Sequence, residues 1–149
     1  MSFKKIGFAL VTAISLSFAA VSPSFAAEGT SATASASETV LHSGVWGKKS
    51  QRSAGTWEIF QADGKNYIRL SSDFKTRGAP DLKIFLSPKT AAESNGRNAT
   101  QGSVLISPLQ SNKGAQTYEI PASIDLASFK SVNIHCEQFS KLWSAADLA

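Results

Sequence analysis

From Thr56 onward, apolar side chains fall on alternate positions. That spacing suits strands that hide one face, and a helix would scatter it. In Thr56-Trp57-Glu58-Ile59-Phe60, Trp57 and Ile59 share a face while Thr56 and Glu58 take the other. Tyr67-Ile68-Arg69-Leu70 places Ile68 and Leu70 inward. Leu82, Ile84 and Leu86 share one face. Val104-Leu105-Ile106 is short and continuous, and Tyr118 and Ile120 alternate with Thr117 and Glu119 before Pro121 stops the run. Val132, Ile134 and Cys136 alternate with Asn133, His135 and Glu137, and a last run covers Phe139 to Ala145. Ala62-Asp63-Gly64-Lys65 carries the chemistry of a tight hairpin, because Gly accepts positive φ. The expected fold is all-β: a jelly-roll-like antiparallel β-sandwich of about seven or eight short strands. Pro88 to Gly102 has no periodicity and reads as a long surface loop with a helical turn near Thr90 to Ser94. The sequon Asn98-Ala99-Thr100 in that loop is read as chance.

The N-terminus reads as an address. Lys4 and Lys5 precede an uncharged stretch from Ile6 to Val21, and Pro23 and Ser24-Phe25-Ala26 follow. This is the layout of a secretory signal peptide over residues 1–26, cleaved before Ala27. The apolar stretch is short for a membrane span of ~20 residues, and Thr12, Ser15 and Ser17 dilute it. Export to the periplasm or beyond is expected, with no transmembrane segment after cleavage. Residues 27–39 are Ala/Ser/Thr-rich and offer nothing larger than Ala to bury, so a flexible leader is expected there. The folded domain is expected over 40–149.

Charge and composition narrow the function. The net charge is +4, and loss of Lys4 and Lys5 leaves thirteen cations against eleven anions. That is too weak and scattered for nucleic acid. One Cys excludes an internal disulfide, a Cys-pair redox motif, a Cys-rich zinc site and covalent haem. Two His and a sole Met at position 1 argue against type-one copper. No metal is expected, and the residues name no cofactor. Asp63, Asp73, Asp81 and Asp125 lie at turns, where Asp commonly bonds its own backbone. No Ser/His/Asp constellation or phosphate loop is present. Trp57 reads as core, and Trp46 and Trp143 as core or edge packing, with an exposed platform as the alternative.

Cys136 is the residue that divides the readings. It shares a face with Val132 and Ile134, which suits a small core hydrophobe. A lone thiol in an exported chain also suits a reactive group, a metal or cofactor ligand, or a partner in an intermolecular disulfide. His135, next to it, is expected on the opposite face, at the surface beside Asn133.

Three blocks in order carry a resemblance. They are Gly78-Ala79-Pro80-Asp81-Leu82-Lys83-Ile84-Phe85-Leu86-Ser87, then Gly114-Ala115-Gln116-Thr117-Tyr118-Glu119-Ile120-Pro121, then Val132-Asn133-Ile134-His135-Cys136-Glu137-Gln138-Phe139 continuing to Trp143, Ala146 and Leu148. Together they resemble the DM-thirteen domain family from roughly Gly44 to Leu148. The chain departs from that pattern by Ala79 between Gly78 and Pro80, His135 in place of an aromatic, Trp143-Ser144 in place of an aromatic-Gly pair, and no His before Gly55. The resemblance implies a β-sandwich with Cys136 as signature cysteine and candidate redox residue of an electron-transfer module, with an unidentified redox or surface partner. Its alternative is a non-catalytic binding or surface-interaction module. A monomer or weak oligomer is expected.

Overall fold

The computed structural model describes residues 37–148. The signal peptide and most of the leader expected from the sequence lie outside these residues. The described part contains nine strands: β1 (Thr39–Val45), β2 (Gly47–Lys48), β3 (Thr56–Ala62), β4 (Lys65–Leu70), β5 (Leu82–Ser87), β6 (Val104–Pro108), β7 (Gln116–Ile120), β8 (Ser131–Cys136) and β9 (Lys141–Asp147). They form a four-stranded sheet, β1-β3-β4-β7, and a five-stranded sheet, β2-β9-β8-β5-β6. All strand pairings are antiparallel. The chain is the all-β sandwich expected. The strand count is higher because the edge strands β1 and β2 lack the alternating apolar signal.

Alternation explains the core. Trp57, Ile59, Ile68, Leu70, Tyr118 and Ile120 from the first sheet meet Leu82, Ile84, Leu86, Val132, Ile134 and Cys136 from the second. Full burial of each aliphatic side chain contributes about 1.5–3 kcal/mol. The β3–β4 hairpin turns at Asp63 and Gly64, with φ of 50° and 75°, as its Asp-Gly pair requires. At one end, Trp46 lies 6.2 Å from both Trp57 and Phe74, and all three are buried. Trp143 on β9 is buried as well, so all three tryptophans pack rather than form an open platform.

Both sheets also carry structure on their outer faces. On the four-stranded sheet, Phe60 stacks on Tyr67 at 5.4 Å and lies 4.2 Å beneath the Arg69 guanidinium. Arg69 is held by Glu58 and Glu38. Cation and rings thus bury Phe60 on the side opposite the core. On the five-stranded sheet the 88–102 loop covers the outer face. Its helical turn is present: Ser94 N–H donates to Thr90 O at 3.1 Å. Thr90 and Glu93 close it as a capping box, with the Thr90 N–H and hydroxyl each 2.9 Å from Glu93 Oε2. Ala99 of the loop joins Leu142 and Ala145 of β9 in a small second apolar cluster.

Candidate functional site

Cys136 ends β8, and its side chain is fully buried in the inter-sheet core. It pairs with Leu82 of β5 on one side and Lys141 of β9 on the other. Paired residues in antiparallel strands project to the same face. The thiol therefore lies in the last layer of the core, with exposed Lys141 as its cross-strand neighbour.

The turn after Cys136 is fastened from three directions. Glu137 N–H donates to Asp81 O at 3.2 Å, and Ser140 N–H donates to Glu137 O at 3.0 Å. The Glu137 carboxylate pairs with Lys83, which also holds Asp81 at 3.2 Å. These bonds tie the start of β5, within the first quoted block, to the end of β8, within the third.

Two clefts that share a wall open beside this corner. One, of about 300 Å³, is lined by Gln51, Arg77, Gly78, Ala79, Pro80, Phe139, Lys141 and Trp143. The other, of about 430 Å³, runs from Gly78 through Leu82 to the Pro108–Asn112 turn. Gly78, Ala79 and Pro80 form a wall common to both. Trp143 fixes the first cleft by donating Nε1–H to Arg77 O at 2.9 Å. Cys136 lines neither cleft. The second cleft also meets the β7 end through a side-chain relay. Tyr118 Oη–H donates to Gln116 Oε1 at 2.5 Å and accepts from Gln110 N–H at 3.0 Å. Desolvation of the buried phenol pushes its pKa above the ordinary tyrosine value, against a smaller lowering by the bond from Gln110 N–H.

His135 does point away from Cys136, but it is not a surface residue. It is 3% exposed and Asn133 is 0% exposed. The 88–102 loop is the cover that the sequence did not show. His135 Nε2–H donates to Gly96 O at 3.1 Å, which fixes the Nε2–H tautomer for the neutral ring. Its ring sits edge-on to Phe85 at 6.1 Å, and its buried Nδ1 has no hydrogen-bond partner. Gly96 is itself required there, because a Cβ at that position would lie 2.3 Å from Ser140 O.

The turn aspartates have structural work. Asp63 makes the β3–β4 turn, Asp73 accepts from Ser71 Oγ at 2.5 Å, and Asp125 caps the Leu126–Ser128 3₁₀ turn. Among the described residues, no group of three or more His, Cys, Asp or Glu could hold a metal. His42 lies on β1 and His135 on β8, in different sheets. Sequence reasoning placed a contact loop over Lys75 to Pro80, which holds Arg77, but missed Phe139 and Lys141 as cleft residues. An exposed Phe in the polar run Glu137-Gln138-Phe139-Ser140 was the available signal.

Searches of curated proteins and of solved structures each returned no match. A family model described as electron transfer DM13 matches residues 47–148, which span the corner, both clefts and Cys136. The chain belongs to the electron transfer DM13 family.

Proposed function

We propose that this chain is an exported electron-transfer module in which Cys136 is the redox residue. The family match across residues 47–148 is the observation that carries this reading. The lone sulfur dictates the form of the chemistry. With Cys136 the only cysteine, exchange is intermolecular. The Cys136 thiol loses its proton to solvent, and the thiolate attacks one sulfur of a partner disulfide. That S–S bond breaks, a mixed disulfide forms, and the second partner sulfur leaves as thiolate. Because Cys136 is sealed, exchange requires the 137–140 turn to swing from the start of β5. Export rests on the charged, apolar and small-residue succession of residues 1–26.

The test is reaction of the folded protein with a small aromatic disulfide, followed by released thiolate and intact mass. Expected are one adduct per chain under native conditions, none in Cys136→Ala, and a mature mass lacking residues 1–26 when the protein is taken from its own cell envelope. A thiol untouched when native and reactive only after denaturation defeats the redox reading.

The burial of Cys136 favours a second reading, a non-catalytic binding module in which the thiol is core filler. Under it, Cys136→Ala folds and keeps every binding property.

A further inference from the structure

We propose that the 300 Å³ cleft between the Arg77–Pro80 segment and the Phe139–Trp143 hairpin binds a small flat aromatic anion of one or two rings, such as an aryl carboxylate. The assignment goes beyond the thiol reading and does not depend on it.

Charge is the first observation. Arg77 and Lys141 both line the cleft and are exposed, and neither has an ion-pair partner among the described residues. None of the eight lining residues is a carboxylate. Asp81 and Glu137, which follow and precede the two cleft segments in the chain, share Lys83 and line no part of the cleft. The cleft lining therefore carries two cations and no carboxylate, and its guanidinium suits a carboxylate held by two parallel N–H donors.

Shape and polarity are the second. Phe139 is 52% exposed and, among the described residues, is the sole aromatic of the large exposed apolar side chains. It lines the cleft with Trp143, whose indole is locked by its bond to Arg77 O. Ala79 and Pro80 supply apolar surface from the segment across the opening. Aromatic and apolar surface combined with a few placed cations is the composition of a small-ligand site, and the volume lies at the small end of such sites. A planar ring covers Phe139 while its acid group meets the cations. A neutral aromatic uses half of this arrangement, and an aliphatic acid the other half.

The probe is 2-naphthoate, titrated into the full folded domain at low salt by calorimetry, with tryptophan emission followed in parallel. The neutral isostere 2-naphthamide and aliphatic hexanoate serve as controls. Naphthoate is expected to bind at one site with a Kd on the order of 1 mM or tighter. It should exceed naphthamide by about tenfold, a ratio that a charge-assisted contact supports. Arg77→Gln with Lys141→Gln should erase that ratio, and Phe139→Ala should weaken acid and amide alike. The substituted side chains are exposed, and the Arg77 carbonyl that holds Trp143 survives substitution, so circular dichroism should remain unchanged. Equal affinity for acid and amide, affinity indifferent to these substitutions, or no saturable binding overturns the proposal. Cys136→Ala should bind naphthoate as the parent does. Failure of the ligand site and failure of thiol exchange are therefore separate results.

Discussion

The imidazole of His135 reaches the carbonyl of Gly96, 39 residues earlier in the chain, at 3.1 Å, and this bond pins the 88–102 loop to the outer face of β8. His135→Ala should leave the sandwich folded but lower its stability by about 1 kcal/mol or more, since the part-buried Gly96 carbonyl loses its donor. Urea denaturation measures the loss, and faster amide exchange confined to the loop locates it. His135→Phe keeps a ring for the edge contact with Phe85, so it should cost less than Ala.

Gly96→Ala tests the same contact from the other side. Its Cβ would sit 2.3 Å from Ser140 O, so loop or hairpin must move. The expected loss is about 1–3 kcal/mol, the usual cost of overpacking. Thermal unfolding as stable as the parent's would mean that the loop does not pack there in solution.

Replacements at Cys136 should separate packing from chemistry. Cys136→Ser places a hydroxyl at a fully buried position among apolar neighbours, at a cost of about 1–3 kcal/mol if it finds no partner. Cys136→Ala removes one heavy atom and should cost roughly 1 kcal/mol. Chemical denaturation of the pair checks the order. A serine variant more stable than the alanine variant would show that the hydroxyl finds a partner.

Acid should loosen β1 early. The hydrogen bond from Arg69 holds the exposed Glu38 carboxyl below the ordinary glutamate range, against a smaller opposing effect of desolvation. A carboxylate lowered in the folded state supports folding above its unfolded pKa, and that support fades as pH falls through the folded value. Amide signals from Glu38 to Leu41 should shift and broaden as pH falls below the ordinary glutamate range. Glu38→Gln should remove that titration. The effect should be small and weaken with salt, because the pair is exposed.

The strands legible in the sequence were those whose core-facing apolar residues fall on alternate positions. Trp57 with Ile59, Ile68 with Leu70, and Leu82 with Ile84 and Leu86 announced their inward side by spacing alone. β1 did not, because Val40, Leu41 and Val45 are all exposed on an edge strand and follow no alternation. β8 was legible on one side only. Its Val132, Ile134 and Cys136 face was read, but Asn133 and His135 are polar and nevertheless buried, beneath a loop distant in sequence. Cys136 could be assigned to a face, but not its depth, which depends on β5 and β9 closing over it. The cleft residues came from three separated segments that no local pattern connects.

Gly78, Ala79 and Pro80 separate two hollows with one thickness of backbone. Such a partition cannot be shifted toward one side without enlarging the other. An occupant that presses on it from the Phe139 side must narrow the space above Pro108–Asn112. Substitutions that stiffen or shorten this septum should therefore alter both hollows together, in opposite senses.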